Sequence, residues 1–269
     1  MNHLLTVCLM TCGEETEAEC LAATAHWPSD VKFQEARGIT PAAKALNQMF
    51  AQCQTKYLVP LDADMILNVD AYKRIENALN SVSMDTKWHT ILFSLWDTLT
   101  EEKIYALKVF NMGAMRYIPY PDDPCPDIQH YKDLAAAGLH SIDLFHEQPI
   151  GNHVVRGNFY CYAKYRDLYA TARSRPRDAL ESHFKGGKTI REKAISHYKF
   201  FQDKNGREED RHCLYCIGGM LEGLTSPLTY KSKDLSHRNM KFQDHIEFNA
   251  IDIAFDEWLE KDKSHMVFV

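Results

Sequence analysis

Asp62 and Asp64, separated only by Ala63, end the apolar run Tyr57-Leu58-Val59-Pro60-Leu61 and precede a second one, Met65-Ile66-Leu67. A continuous apolar run of this length reads as a strand buried on both faces, as in a parallel sheet. Sinking two ionised carboxylates beside it would carry a large desolvation cost. They therefore belong at the strand's carboxyl end, in a cleft, with a cation to share. Hard oxygen ligands suit Mg²⁺ or Mn²⁺, which commonly bridge protein carboxylates to the phosphates of a substrate. A bare Asp-x-Asp is short and common, and a turn after a strand would use the same residues. Context separates the two readings.

The elements around this pair supply that context. Leu4 to Met10 reads as a first buried strand, and Thr11-Cys12-Gly13-Glu14 turns into a helix with an acidic start that runs to about Ala25, the charge order a helix dipole favours. Val31 to Glu35 is a second strand. Thr40-Pro41 opens the next helix, with Thr40 as N-cap and Pro41 at the first helical position. In that helix Ala42, Ala45, Leu46, Met49, Phe50 and Cys53 recur at helical spacing, so one face packs on a sheet. After the Asp62/Asp64 strand, Asn68 caps a helix carrying Ile75, Ala78, Leu79 and Val82. Strand and helix alternating three times predict a parallel α/β sheet, whose ligands bind beyond the carboxyl ends of the strands. Thr11 to Glu14 and Asp62/Asp64 would share that rim.

Further on, Thr90 to Trp96 reads as a strand, and Lys103 to Tyr120 as a hairpin turning at Asn111-Met112-Gly113. The proline-fixed acidic loop Pro121 to Asp127 leads into a helix, Ile128 to Ala137, which Gly138 is placed to end. His140 to Phe145 is a short strand, and Ile150-Gly151-Asn152-His153 closes this half.

Three blocks in this half resemble the nucleotide-sugar glycosyltransferases of the GT-A fold, the family-2-like group in particular. The first runs from Ala45-Leu46-Asn47 through Tyr57 to Leu61-Asp62-Ala63-Asp64. The second is Asp127, eleven residues before Gly138, similar to the acidic residue, helix and glycine at the family's acceptor side. The third is His153 after a short strand, where such enzymes often carry a metal-binding histidine. The chain differs in carrying Pro126 where an acidic neighbour of Asp127 is usual, and in a shorter stretch from Asp64 to Asp127.

The resemblance implies a GT-A-type, Rossmann-like mixed α/β sheet flanked by helices. Residues 1–155, which the resemblance covers, would form the nucleotide-sugar and metal-binding domain; nothing after them carries it, and 156–269 read from their own composition as a mainly helical, basic, acceptor-binding region packed on that domain. The resemblance implies Mn²⁺ or Mg²⁺ and a nucleotide-sugar donor, with a UDP-sugar favoured. Asp64 would ligate the metal, Asp62 would reach the donor's ribose or a metal-bound water, and His153 would complete the metal site. Thr11, Cys12, Gly13, Glu14, Lys44 and Asn47 would hold the nucleotide's base and phosphates. Asp127 would be the general base that takes the acceptor hydroxyl's proton, giving inversion. Without the resemblance, Asp127 at a helix start is an N-cap and His153 a structural histidine.

At 269 residues the chain can form one large domain or one domain plus a subdomain, and 45% hydrophobic with 25% charged residues is ordinary for a soluble globular protein. No segment reads as a signal peptide or a membrane span. The eight cysteines are therefore expected to be reduced and the protein cytoplasmic. His212 and Cys213-Leu214-Tyr215-Cys216 have the spacing of half a zinc site, but with no second Cys-x-x-Cys after them they read as buried thiols. Residues Phe248 to Glu260 read as a last helix that packs Phe255 and Trp258 against the first half.

Charge is divided unevenly. Val154 to Lys241 holds eighteen Lys and Arg against ten Asp and Glu, a balance of +8, which leaves −14 on the rest of a chain whose total is −6. Arg156, Lys164, Arg166, Lys185 and Lys188 are interleaved with aromatics such as Tyr165, Tyr169 and Phe184. Cations neutralise phosphates and rings stack on bases, so a polyanion suits this composition; an ordinary solvated helical region is the plainer reading. Some bacteriophage-encoded glycosyltransferases act on hydroxymethylated pyrimidines in duplex DNA, with the acceptor base turned out of the stack. Duplex DNA carrying 5-hydroxymethylcytosine or 5-hydroxymethyluracil is the preferred acceptor, and a surface polysaccharide or lipid-linked glycan the alternative. Two other classes are a nucleotidyltransferase, which would bring a basic, glycine-rich signature after the first strand, and a non-catalytic DNA-binding module.

Overall fold

The computed structural model describes residues 5–82, 85, 87–122, 126–154, 157–173, 190–204, 212–225 and 254–260. They fall into two compact units divided between residues 156 and 157. The first unit is built on a mixed sheet. In chain order it contains β1 (Leu5–Thr11), α1 (Glu17–Thr24), β2 (Lys32–Arg37), α2 (Ala42–Gln52), β3 (Tyr57–Asp62), β4 (Met65–Leu67), α3 (Ala71–Ser81), β5 (Trp88–Asp97), β6 (Glu102–Asn111), α4 (Met112–Met115), α5 (Pro126–Ala136), β7 (His140–Asp143) and β8 (Gly151–His153). The strands lie in the order β2-β1-β3-β6-β5-β8-β4, with β7 also paired to β5.

The alternation of strand and helix produces the expected parallel core, because β1 pairs in parallel with both β2 and β3. One face of the sheet buries Val7, Leu9, Val59, Leu61, Ile91 and Phe93 with Cys20 of α1 and Ile75 of α3. The other face buries Leu58 and Phe110 with Leu46, Met49 and Phe50 of α2 and Leu134 of α5. Helical spacing within α2 and α3 puts their apolar residues on the sheet side. The antiparallel ladder between β3 and β6 covers only Tyr57 and Leu58. Pro60, which has no N–H to donate, lies just past its end.

Two helix starts and one turn differ from expectation. The N-cap positions are Pro41 and Asp70, not Thr40 and Asn68, although Asn68 still receives the Ala71 N–H on its carbonyl. The hairpin is β5–β6, turning through residues 98–101 with Glu101 at φ 52°. Asn111 begins α4 instead, its side chain accepting from the Gly113 N–H at 3.2 Å. Asparagine serves turns and helix caps by the same local hydrogen bond, so its presence in sequence does not choose between them.

The second unit contains α6 (Asn158–Arg173), α7 (Ile190–Lys204), α8 (His212–Thr225) and the helical residues 254–260. Helix α8 lies unusually close to α6. A Cβ on Gly219 would stand 1.9 Å from the Tyr162 carbonyl oxygen, and one on Gly223 would stand 2.3 Å from that of Arg166. Cys161, Cys213 and Cys216 are buried in this contact as reduced thiols, and burial pushes the Cys216 thiol well above its ordinary pKa. Phe255, expected to pack on the first half, stacks flat on Tyr198 at 3.8 Å. Among the described residues no helix is long and apolar enough to cross a membrane.

Candidate functional site

The chain leaves β3 at Asp62 and enters β4 at Met65, and Asp64 lies in the crossing. β4 pairs antiparallel with β8, setting Met65 opposite His153, while β5 pairs in parallel with β8 and sets Asp97 opposite the same histidine. Three strands thus deliver three side chains to one point. His153 Nε2 lies 3.2 Å from Asp64 Oδ2, and His153 Nδ1 lies 3.1 Å from Asp97 Oδ2. The backbone fixes this arrangement: Val154 N–H donates to the Asp64 carbonyl at 2.9 Å and Thr98 N–H to the His153 carbonyl at 3.0 Å. Gly151 permits the approach of β8 to β4, since a Cβ there would stand 2.5 Å from the Ile66 carbonyl oxygen. Asp64 is only 2% exposed.

Two of the three predicted metal residues, Asp64 and His153, are therefore brought together. Two ligand atoms at right angles on an ion with bonds of about 2.1 Å stand about 3 Å apart, so the 3.2 Å between Oδ2 and Nε2 fits a shared divalent cation. Among the described residues no group of three or more His, Cys, Asp or Glu could hold a metal. The fit is thus to an ion that takes two protein ligands and draws the rest from substrate oxygens and water, a common habit of Mg²⁺. Asp62 ends β3 opposite Met10 of β1, half-buried.

Thr11 to Glu14 share the rim, because Met10 is paired to Asp62. Their polar groups are largely engaged with one another. Thr11 Oγ1 lies 2.6 Å from Glu14 Oε2 and 2.7 Å from Glu17 Oε2, sharing one hydroxyl proton between two carboxylates, and it accepts from Gly13 N–H at 2.9 Å. Cys12 N–H donates to Glu14 Oε2 at 2.8 Å, and Gly13 takes the positive φ of 88° that this tight loop needs. Hydrogen bonds from Arg37 and then Thr11 lower the Glu17 carboxyl below its ordinary range. Cys20 of α1 reports the acidity of this rim: burial first, then Asp64, Asp62, Glu14 and Glu17, push its thiol up to about 12. It stays protonated and donates to the Asp62 carbonyl at 3.6 Å.

Other predicted residues are placed elsewhere. The Asn47 amide bonds the backbone of Tyr120 at both ends, donating to its carbonyl at 2.9 Å and accepting its N–H at 2.8 Å. It anchors the loop that holds Tyr120. Lys44 is exposed in the first turn of α2. Asp127, in the first turn of α5, forms an ion pair with Lys108 of β6. Burial works against the Lys108 ammonium, yet Asp127 beside it holds its pKa well above the ordinary range. Lys108 pairs with Leu92, five residues before Asp97 on β5, which places it about 17 Å back along the strand. Asp127 therefore does not join the Asp64 cluster directly.

Of the five basic acceptor residues, Arg156, Lys185 and Lys188 lie outside the described residues. Lys164 and Arg166 are on α6, where the Arg166 guanidinium bonds Asp167 at 3.2 Å. Tyr165 and Tyr169, read as surfaces for stacking bases, belong to the helical core, and Tyr169 OH lies 2.9 Å from His197 Nδ1. Asp97 escaped the sequence reading altogether. Its signal was present but faint: an acidic residue ending an apolar strand, as Asp62 does.

No family model matches the chain, and no curated protein does. Solved structures resemble it at low identity. A mannosyltransferase from Pyrobaculum calidifontis, PcManGT in complex with GDP-Man and Mn²⁺, is 14% identical over 83% of this chain and 88% of its own, with a TM-score of 0.45. S. aureus TarS residues 1–349 in complex with UDP-GlcNAc is 10% identical over 82% of this chain and 81% of its own, TM-score 0.43. The 4-diphosphocytidyl-2C-methyl-D-erythritol synthase of Anaerococcus prevotii is 7% identical over 53% of this chain and 88% of its own, TM-score 0.36. All three TM-scores lie below 0.5, and the chemistry of the site rests on its own geometry.

Proposed function

We propose that this protein is a GT-A-type, metal-dependent glycosyltransferase that moves a sugar from a nucleotide-sugar, a UDP-sugar by preference, to a hydroxyl acceptor. One observation carries the reading: Asp64 Oδ2 and His153 Nε2 stand 3.2 Å apart at the carboxyl rim of a sheet with a parallel core. Mn²⁺ or Mg²⁺ held there supplies a positive charge that offsets the negative charge of the departing diphosphate. Asp64 and His153 hold that ion. Asp62, half-buried beside them, faces the ribose or a metal-bound water, and Thr11 to Glu14 with Lys44 border the nucleotide. Asp127, paired with Lys108, takes the acceptor proton, and the sugar inverts.

In this reading the acceptor is a 5-hydroxymethylpyrimidine in duplex DNA, supported by the +8 balance of Val154 to Lys241. A surface or lipid-linked glycan is the second reading. It is favoured by the Tyr105 ring, 40% exposed and stacked on Phe145 at 4.2 Å, an aromatic face of the kind that suits a sugar ring. The test is mass spectrometry of nucleosides from hydroxymethylated duplex DNA incubated with the protein, Mn²⁺ and a panel of UDP- and GDP-sugars. A mass increase of one sugar, lost in EDTA, is expected. Donor hydrolysis without DNA product would transfer the assignment to a glycan acceptor, and no donor turnover in any combination would overturn the glycosyltransferase reading.

A further inference from the structure

His153 has two ring nitrogens, and which of them carries a proton decides whether the ring can ligate an ion beside Asp64. The neighbourhood of Asp97 answers this. Asp97 is 3% exposed and ends β5 directly opposite His153. Its Oδ1 accepts two backbone N–H groups of the following turn, Leu99 at 2.8 Å and Thr100 at 2.9 Å. That clamp fixes the carboxylate plane and leaves Oδ2 directed at His153 Nδ1, 3.1 Å away. With Oδ1 engaged by the turn, Oδ2 is placed to accept the Nδ1–H of His153, and the ring then turns Nε2 toward Asp64. In a neutral ring with its proton on Nδ1, the lone pair is on Nε2, the atom nearest Asp64.

We infer that Asp97 is a positioning residue: by accepting the Nδ1 proton of His153 it holds the ring in the tautomer and orientation that present the Nε2 lone pair beside Asp64. Partners of this kind commonly orient metal-ligating histidines, and their loss costs metal affinity while the ligands themselves remain. The alternative is that Asp97 only closes the β5–β6 turn through Leu99 and Thr100. The two roles use different oxygens of one carboxylate, so they can be separated.

The inference deepens the metal reading of the Asp64–His153 site and is tested without sugar transfer. In the wild-type protein without added metal, long-range ¹H–¹⁵N NMR of the histidine rings should show the neutral form of His153 protonated on Nδ1; an Nε2-protonated ring would overturn the inference. Mn²⁺ binding is then followed by the free-ion EPR signal, with no nucleotide present. Asp97→Asn keeps an acceptor for the turn but removes the carboxylate, and should weaken Mn²⁺ about 10- to 100-fold with an unchanged unfolding midpoint. Wild-type affinity in that variant would overturn the inference, as would an affinity loss that only follows unfolding. A wild type that binds Mn²⁺ but turns over no nucleotide-sugar would sink the glycosyltransferase reading alone and leave the role of Asp97 standing.

Discussion

Asp64 and Asp127 are both carboxylates set against a nitrogen, and the kind of nitrogen separates them. Asp64 faces an imidazole in a wedge built wholly from strand ends, where β4, β5 and β8 lock the backbone on both sides of His153. Asp127 faces the ammonium of Lys108 at the start of a helix, and its side chain is 37% exposed. An imidazole can offer a lone pair to a metal; an ammonium has three donors and none to offer. The first pair is therefore suited to share a cation, whereas the second already contains one. An acidic residue at a strand end or helix start does not declare its chemistry until the group across from it is known.

The contrast can be broken most severely at Asp64. Asp64→Asn, or EDTA, should lower donor turnover on the order of 10³-fold, corresponding to about 4 kcal/mol of lost charge stabilisation, measured as nucleotide release. Asp127 should be insensitive to the same chelator in any assay of folding.

Acid should weaken the Lys108 region next. His89 is 2% exposed, with Nδ1 2.7 Å from Thr90 Oγ1, and its ring lies 5.5 Å from Tyr131, over which the Lys108 ammonium sits. Burial, followed by His130 and His140, lowers its pKa to about 4. The folded protein keeps this ring neutral while the unfolded chain protonates it near pH 6.5. Stability is thus fully present above about pH 6.5 and is lost as the pH falls toward 4, by about 3 kcal/mol in total. Urea unfolding across that range should show the slope, and His89→Asn, which retains an acceptor for Thr90, should flatten it.

Gly151→Ala is a subtler blow to the first region. The added methyl must push Ile66 and Leu67 away, costing about 2 kcal/mol of stability and moving His153 off Asp64, so Mn²⁺ affinity should fall with the unfolding midpoint. Lys108→Met has the smallest expected effect. It removes the partner of a carboxylate still partly open to water, so about 1 kcal/mol is expected, with Mn²⁺ affinity unchanged. A loss of Mn²⁺ affinity in that variant would show that the two regions are one site.

What could be read from the chain alone followed local rules. The alternation of apolar runs and helical stripes announced the parallel core, and Asp62, Asp64 and His153 marked their own positions at strand ends. The β5–β6 turn was misplaced because Thr98-Leu99-Thr100-Glu101 carries none of the usual turn residues, while Asn111 and Gly113, which look like a turn, cap a helix. Nothing in the sequence around Asn47 reveals that its amide bonds the backbone of Tyr120, 73 positions away.

Periodicity and residue type therefore determined which segments become strands and helices, and that acidic groups gather where a strand stops, because hydrophobic burial and desolvation act on each segment separately. Tertiary structure alone decided that Asp97 meets His153 across 56 positions of chain, that Lys108 faces Asp127, and that Gly151 and Gly219 are places where two backbones nearly touch. Those outcomes depend on strand register and helix approach, which arise from packing the whole sheet and helix pair at once.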